Sequence, residues 1–230
     1  MIELIDVEKT YRKGSVEIGA LRGVSLSVER HGLVSVCGPS GCGKTTLLNM
    51  IGLLDEPTRG TIRLFGRDTA TLRAAERARV RGRSIGFVFQ SFNLISTMTA
   101  WRNVSLPLKY MRVPRRTRRE LSINALAAVG LADRIDHFPS ELSGGQEQRV
   151  AIARSLVIDP QLVLADEPTG NLDSSASEDI LRLFTHLRDD GKTLLMVTHD
   201  PLVSAHADRV LTMSDGCIRS DQLTESCSHD

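Results

Sequence analysis

The amino-acid sequence predicts an α/β fold in which a largely parallel sheet forms the core. Three observations support this prediction. Short apolar runs alternate with helical segments in the second half of the chain, as they do in domains built on parallel sheets. Residues 1–11 and 21–28 alternate apolar and polar positions, which is typical of half-exposed strands. Between residues 92 and 153 the apolar periodicity is helical, which indicates an inserted helical region.

The individual elements follow from local patterns along the chain. Residues 33–37 form an apolar run suited to a strand that is buried on both faces. Glycine-rich sequence follows this run at once, and residues 45–51 then have the character of a helix. The remaining predicted elements are strands at 60–66, 84–89, 162–165, 194–197 and 209–213, and helices at 71–81 and 175–189.

Composition restricts the class of protein. The chain has 230 residues, of which 41% are hydrophobic and 25% charged. These ordinary values exclude a disordered chain, a collagen-like chain and a small disulfide scaffold. No apolar run approaches the ~18 residues of a membrane span, and the first residues lack the pattern of a signal peptide. The cysteines show no C-x-x-C spacing, so we expect reduced thiols in a cytosolic protein. They are Cys37, Cys42, Cys217 and Cys227.

The charge is distributed unevenly although the net charge is only +1. Residues 1–120 contain 21 basic and 10 acidic side chains, whereas residues 121–230 contain 8 basic and 18 acidic ones. This uneven distribution could create a local electrostatic field that acts on a partner molecule. The alternative is that the two sets are solvated faces that neutralise each other in the folded protein.

A phosphate-binding loop is the strongest motif. Residues 38–45 read GPSGCGKT, which fits G-x-x-x-x-G-K-[ST] between a predicted strand and a predicted helix. Glycines let successive backbone N–H groups point at phosphate oxygens, and the following helix presents its positive end to the same anion. In this pattern Lys44 reaches the β- and γ-phosphates and the Thr45 hydroxyl binds Mg²⁺. The predicted ATP-binding residues of this segment are Gly38, Ser40, Gly41, Cys42, Gly43, Lys44, Thr45 and Thr46.

Two carboxylates follow the apolar run at 162–165. Asp166 and Glu167 are expected at the carboxyl end of a buried strand, where open α/β sheets bind their ligands. Asp166 would hold Mg²⁺. Glu167 would point to the other side of the strand end and polarise a water molecule in line with the γ-phosphate.

A second phosphate-binding surface is predicted at residues 142–146, which read LSGGQ. Ser143 fits a helix N-cap, and Gly144 and Gly145 expose the backbone amides at that helix N-terminus. One nucleotide rarely needs two helix ends from one subunit. We therefore expect two chains arranged head to tail, each of which lends Ser143, Gly144, Gly145 and Gln146 to the ATP of the other.

With these motifs in this order, the sequence resembles the ATP-binding-cassette (ABC) ATPases over nearly its whole length. The resemblance implies a P-loop NTPase fold with a RecA-like core sheet, an N-terminal antiparallel β subdomain and an inserted helical subdomain. It implies one domain over residues 1–230. The nucleotide-binding core would occupy 1–90 and 154–222, the helical subdomain with the LSGGQ segment 91–153, and a short tail 223–230.

The same resemblance assigns roles to further residues. Tyr11 matches the aromatic residue that stacks on adenine, and Gln90 matches the glutamine that contacts Mg²⁺ and the attacking water. Asp173, within residues 171–173, matches the loop that crosses between subunits, and His199 matches the histidine that contacts the γ-phosphate. The resemblance thus implies ATP and Mg²⁺ as cofactors and catalytic residues Lys44, Gln90, Glu167 and His199. The implied Mg²⁺ ligands are Thr45, Gln90 and Asp166.

Three stretches narrow the resemblance, namely residues 20–26, 52–60 and 87–94. They are similar to the lipoprotein-releasing and macrolide-exporter group, which also contains antimicrobial-peptide resistance ATPases and, more distantly, a cell-division ATPase. This implies an integral membrane permease as partner, a second copy of the chain, and a location at the cytoplasmic face of the membrane. Two positions depart from the group: Glu147, where glutamine is usual, and Arg102, where an acid is usual.

Other functions stay open beside transport. A cell-division regulator would use the same fold as a switch on a membrane partner. A non-transport ABC ATPase would act on nucleic acid, but such proteins usually carry two cassettes or a long coiled coil, so no nucleic acid is expected here. Residues 142–146 disfavour a P-loop GTPase or a small-molecule kinase.

The segment directly after Gln90 is rich in apolar side chains. Its members are Phe92, Leu94, Ile95, Met98 and Trp101. They could belong to the core of the domain, or they could form a groove for a short helix of the membrane partner. Aromatic and arginine residues are enriched among binding hot spots, which directs attention to Trp101 and Arg102.

Overall fold

The computed structural model describes residues 1–14 and 16–224. Cys227 and residues 225–230 of the predicted tail lie outside the described residues. The chain divides into two compact units, which are described separately below. The first contains Met1–Arg79 and the chain from Gly191 onward, and the second contains Val80–Asp190. The predicted helical segment at 91–153 lies within the second unit.

The described residues form strands close to the predicted positions. The strands are β1 (Ile2–Lys13), β2 (Val16–Val28), β3 (Gly32–Cys37), β4 (Arg59–Leu64), β5 (Arg67–Asp68), β6 (Ile85–Phe89), β7 (Leu162–Asp166), β8 (Thr193–Thr198), β9 (Arg209–Ser214) and β10 (Cys217–Leu223). Of these, β5 and β10 were not predicted, because neither short polar strand has an apolar run or a clear alternation.

The helices connect these strands. They are α1 (Lys44–Ile51), α2 (Ala74–Ser84), α3 (Ala100–Val104), α4 (Leu106–Tyr110), α5 (Arg115–Ala128), α6 (Gly144–Leu156), α7 (Ser174–Asp189) and α8 (Pro201–Ser204). In addition, Thr69–Thr71 and Pro139–Glu141 form single 3₁₀ turns. Among the described residues no helix is both long enough and apolar enough to cross a membrane.

The first unit combines an antiparallel sheet with a set of buried parallel strands. The antiparallel sheet has the order β2-β1-β4-β5. Strand β3 pairs in parallel with β8 on one side and β9 on the other, and β10 pairs antiparallel with β9. Every residue of β8 and the stretch 33–36 of β3 are buried, as expected for parallel strands that are covered on both faces.

The second unit packs helices around two parallel strands. Strands β6 and β7 pair with Phe89 opposite Asp166, so both strands end at the same sheet edge. Helix α6 packs against β6 and against α3, α5 and α7. Its stretch from Val150 to Ala153 is completely buried. Helix α6 is therefore the central element of this unit, and its N-terminus carries the LSGGQ segment.

Candidate nucleotide-binding site

The phosphate-binding loop of the first unit has a backbone that only glycine permits at two positions. A Cβ atom on Gly38 would overlap the carbonyl oxygen of Met213, and one on Gly43 would overlap that of Ala20. Gly43 is also left-handed, with φ 105°, and it caps α1 without a side-chain hydrogen bond. The loop between β3 and α1 therefore leads directly into a helix N-terminus, the arrangement that binds phosphate.

Lys44 begins α1, and its ammonium group is turned back onto the loop. Its Nζ atom donates to the carbonyl oxygens of Gly38 at 2.8 Å and of Pro39 at 3.1 Å. The side chain is buried, with only 7% of the residue exposed. The two carbonyl oxygens hold the charged group against the loop backbone.

The other predicted loop residues differ in exposure. Ser40, Gly41 and Thr45 are exposed and Thr46 is half-buried, so backbone and hydroxyl groups are open to a ligand. Cys42, by contrast, is only 6% exposed, so its thiol is buried.

Tyr11 lies beside the start of α1 in a small polar cluster. Its hydroxyl donates to Asp55 Oδ2 at 3.0 Å, and Lys9 Nζ lies 5.0 Å from the centre of its ring. Thr46 also hydrogen-bonds to the phenol oxygen. Burial, followed by the bond to Asp55, raises the pKa of Tyr11. The ring is 38% exposed, so it remains available for stacking near the phosphate-binding loop.

Asp55 organises this cluster, and sequence reasoning missed it. Lys9 Nζ donates to Asp55 Oδ1 at 2.7 Å. Burial works against ionisation of the carboxyl group, but hydrogen bonds from Lys9, from the backbone of Glu56 and from Tyr11 outweigh it, and the pKa of Asp55 is lowered. Sequence offered no signal for this role, because the partners are distant along the chain.

His199 lies at the same sheet edge as the phosphate-binding loop. The register of β3 and β8 pairs Cys37 with Thr198. The loop therefore begins one residue after Cys37, and His199 directly follows Thr198, the residue that pairs with Cys37. His199 is exposed, and the next residue, Asp200, donates its backbone N–H to Thr198 Oγ1 at 3.0 Å.

The second unit brings Gln90, Asp166 and Glu167 together at one sheet edge. Phe89 pairs with Asp166, so Gln90 and Glu167 each follow the paired ends of neighbouring strands. Glu167 has a left-handed backbone, with φ 46°. This conformation is uncommon for a residue other than glycine and is frequent at functional sites.

The side chain of Gln90 is fixed by a reciprocal pair of hydrogen bonds. Gln90 Nε2 donates to Asn171 Oδ1 at 3.2 Å, and Asn171 Nδ2 donates to the Gln90 carbonyl oxygen at 3.0 Å. A Cβ atom on Gly170 would lie 2.8 Å from Gln90 Nε2, so a larger residue there would displace the Gln90 side chain. The family resemblance implies only that residues 171–173 belong to a loop that crosses between subunits. The hydrogen bonds between Asn171 and Gln90 go beyond that expectation.

The LSGGQ segment forms a capped helix N-terminus, as predicted. Ser143 Oγ accepts the backbone N–H of Gln146 at 3.3 Å, and Gln146 Oε1 accepts the backbone N–H of Ser143 at 3.0 Å. Ser143 and Gly144 are exposed. Each of the two side chains therefore accepts the backbone N–H of the other residue, and a phosphate would meet the backbone of the first turn.

A second helix N-terminus lies next to it. A Cβ atom on Gly145 would lie 3.1 Å from Ala176 Cβ, so the first turns of α6 and α7 approach closely. Asp173 caps α7 by accepting the backbone N–H of Ala176 at 2.8 Å. The two turns and Arg149 line an open cavity of about 470 Å³.

Further contacts of α6 reach the loop after Glu167. The side-chain amide of the completely buried Gln148 donates to the carbonyl oxygen of Pro168 at 2.6 Å. Glu147, one of the two departures from the family pattern, is half-buried, and burial raises its pKa. Its side chain carries none of the helix-capping bonds.

Trp101 belongs to the core of the second unit, which corrects the view of it as a docking residue. It is only 9% exposed. The guanidinium carbons of Arg102 and Arg119 lie 5.7 and 5.8 Å from its ring centre. The apolar residues before it are more accessible: Ile95 is 40% exposed, and Phe92, Leu94 and Met98 are half-buried.

Comparison with known proteins identifies the family. The ABC transporter family model matches residues 21–170. A macrolide export ATP-binding/permease protein, MacB of Chlorobium phaeobacteroides, is 49% identical over 96% of this chain and 34% of its own length. The chain thus spans about a third of such relatives. The uncharacterised ABC transporter ATP-binding protein YknY of Bacillus subtilis is 48% identical over 95% of both chains.

Solved structures agree with the predicted fold. The dimeric structure of the bacterial ABC transporter cassette MJ0796 is 42% identical, with a TM-score of 0.90, and the match covers 98% of this chain and all of that one. A dimeric post-hydrolysis state of MJ0796 bound to ADP and Pi matches with a TM-score of 0.90 and 41% identity. These matches confirm the P-loop NTPase fold and support the predicted ATPase activity. The chain belongs to the ABC transporter family.

Proposed function

We propose that this chain is the ATP-hydrolysing subunit of an ABC transporter and works as a head-to-tail dimer around two ATP molecules. The observation that carries the proposal is the presence of two separate helix N-termini, at α1 and α6, of the kind that can bind phosphate. The first follows the loop that holds Lys44. The second exposes the backbone at Ser143 and Gly144 for the nucleotide of the other subunit.

Each predicted residue has a defined task in this mechanism. Lys44 leaves the carbonyl oxygens of its loop and binds the β- and γ-phosphates. Thr45, Gln90 and Asp166 would hold Mg²⁺ through side-chain oxygens, the donor type that this ion prefers. When bound, Mg²⁺ neutralises charge on the phosphates.

Glu167 acts as the general base for the attacking water. Glu167 has a left-handed backbone directly after β7. The side-chain amide of Gln148 donates a hydrogen bond to the carbonyl oxygen of the next residue, Pro168. His199, at the carboxyl end of β8, contacts the γ-phosphate. Gln90 orients the water and reports the nucleotide state to the partly exposed apolar residues that follow it, through which a permease would be driven.

The test is Glu167→Gln. An amide has the shape of the carboxylate but is a poor base at neutral pH, so the variant should bind ATP, hydrolyse it at least about a hundredfold more slowly and accumulate as a dimer. Size-exclusion mass with ATP and Mg²⁺ and phosphate release are the measurements. A variant that stays monomeric, or that turns over like the parent protein, refutes the assignment.

We further propose an integral membrane permease as partner, with the chain at the cytoplasmic face of the membrane. The macrolide-export relatives are named ATP-binding/permease proteins, and this chain matches about a third of their length. Lipoprotein release, macrolide export and antimicrobial-peptide export or resistance are the candidate activities, and regulation of a cell-division partner is the alternative. Affinity capture from detergent-solubilised membranes, followed by identification of the co-purifying membrane protein, distinguishes them.

A further inference from the structure

The chain makes a strained turn directly after Gln90. Phe92 and Asn93 both have left-handed backbones, with φ 55° and 52°. Asn93 donates its backbone N–H to the carbonyl oxygen of Ser91, and Phe92 donates to that of Phe89 at 3.3 Å. Two successive left-handed residues other than glycine are unfavourable by themselves, so the surrounding structure must hold them.

Arg154 on α6 provides this hold. Its Nη1 atom donates to the carbonyl oxygen of Asn93 at 2.6 Å, and its Nη2 atom donates to that of Phe92 at 2.7 Å. One guanidinium group thus fixes both left-handed peptides. Arg154 is half-buried, and burial lowers its pKa. No carboxylate pairs with it among the contacts described for residues 1–14 and 16–224. A planar fork with two parallel donors suits this task, and a lysine would not reproduce it.

The turn connects two predicted parts of the site. Gln90 lies immediately before it and is bonded to Asn171. On the other side, the ring of Phe92 lies against Gly144 of the LSGGQ segment, where an added Cβ atom would be 3.9 Å from Phe92 Cζ. A change in the conformation of the turn would therefore move Gln90 and disturb the surface offered to the second nucleotide.

We propose that Arg154 is a positioning residue for ATP hydrolysis: it clamps the carbonyl oxygens of Phe92 and Asn93 and so sets Gln90. The proposal rests on the proposed function. It predicts that loss of the clamp lowers kcat by a larger factor than it raises the KM for MgATP, since the loop that holds Lys44 is untouched.

The experiment compares Arg154→Met, which keeps the length and apolar contacts of the side chain, with the parent protein. We expect kcat to fall by about tenfold or more, because a small misplacement of a reacting group has effects of this size. Hydrogen–deuterium exchange of the peptide around residues 91–94 should rise in the same variant. The exchange readout does not depend on ATP hydrolysis, so it separates failure of the clamp from failure of the proposed function.

A second substitution distinguishes a clamp from a general role in stability. Asn93→Gly favours the left-handed backbone without help. Added to Arg154→Met, it should restore kcat to within about threefold of the parent and bring the exchange back down. Arg209→Met is the matched control, because Arg209 also joins a carbonyl oxygen, that of Ser27, to an ion pair with Asp221. It should lower the melting temperature and leave kcat unchanged.

Two results would overturn the proposal. One is a normal kcat in Arg154→Met together with raised exchange at residues 91–94, which would show that the turn does not position Gln90. The other is a fall in kcat that Asn93→Gly does not rescue and that matches the loss of folded protein, which would make Arg154 a structural residue only.

Discussion

Lys44 shows how a single side chain can be held ready for a ligand. Its ammonium group is bonded to the carbonyl oxygens of Gly38 and Pro39, and bulkier residues than glycine at positions 38 and 43 would collide with neighbouring backbone. The loop backbone is therefore fixed by packing. Binding of phosphate requires the lysine to exchange two carbonyl oxygens for phosphate oxygens, with little rearrangement of the chain.

The thiol of Cys42 provides a test of this packing. Because the residue is 6% exposed, maleimide labelling of the native protein should be slow both with and without MgATP. Cys217, which is half-buried, is the internal control and should react faster. Mass spectrometry of timed samples makes the measurement. Rapid labelling of Cys42 that MgATP suppresses would contradict the buried position and would favour a nucleotide-protected thiol.

The cluster around Asp55 should contribute to stability in a pH-dependent way. Because the folded pKa of Asp55 is lowered, its contribution is present above the usual pKa of an aspartate and is lost as the pH falls through the folded value. Asp55→Asn should lower the unfolding free energy at pH 7 by about 0.5–1.5 kcal/mol, a modest figure because Asp55 is partly exposed and solvent screens the pair.

Urea unfolding of Asp55→Asn and the parent at a series of pH values tests this. The difference between the two proteins should shrink as the solution becomes more acidic. A difference that is constant with pH would mean that the Asp55 carboxylate is not the source of the effect. Asp68→Asn is a suitable control, since Asp68 only caps a 3₁₀ turn by accepting the backbone N–H of Ala70.

Individual elements differ in how far the sequence could predict them. Strands β3, β7 and β8 were predictable because burial on both faces demands continuous apolar runs. The motifs after β3 and β7 then located Lys44 and Glu167, whereas His199 after β8 was assigned through the family resemblance. The burial of Trp101 was not predictable. It depends on α3 packing against α5 and on Arg119 covering the indole ring, and no local pattern records a contact between distant segments. The hydrogen bonds from Arg154 to the carbonyl oxygens of residues 92 and 93 were not predictable for the same reason.

The packing of α3 gives a direct stability test. Trp101→Ala should destabilise the isolated chain by about 3–5 kcal/mol, as expected when a large buried aromatic side chain is removed. Ile95→Ala, at a residue that is 40% exposed, should change stability by less than about 1 kcal/mol. Thermal and urea unfolding followed by circular dichroism provide both values. If the two substitutions lowered the unfolding free energy by equal, small amounts, Trp101 would be a docking residue and not a core residue.

At the scale of the whole molecule, each of the two units contains its own set of predicted site residues. Lys44, Thr45 and His199 lie in the first, and Gln90 and Glu167 lie in the second. Lys44, Thr45 and Glu167 were predictable because their motifs follow buried strands, at the sheet edge where open α/β sheets bind ligands. Gln90 and His199 were assigned only through the resemblance to ABC ATPases. What the sequence could not supply was the set of side chains that brace these loops, namely Asp55, Gln148 and Arg154, since each acts through backbone carbonyls or tertiary contacts that leave no motif.

The proposed dimer can be tested without disturbing the monomer. Gly144→Asp places a carboxylate in the first turn of α6, where the helix dipole favours a negative charge. An added Cβ atom there finds its nearest neighbours at 3.5 Å or more, so the isolated chain should keep its melting temperature. In the dimer the same carboxylate would face the phosphates of the other subunit's ATP and repel them.

Glu167→Gln alone should form a dimer with MgATP, whereas Glu167→Gln with Gly144→Asp should remain monomeric and still bind ATP. Sedimentation velocity and ATP-binding titrations measure the two properties, and Glu167→Gln with Gly144→Ser is the uncharged control, which should dimerise. Because only the dimer links nucleotide binding to association, the melting temperature of Glu167→Gln in MgATP should rise with protein concentration, and this dependence should vanish in the aspartate variant. Dimerisation of the aspartate variant would mean that the N-terminus of α6 does not face a nucleotide.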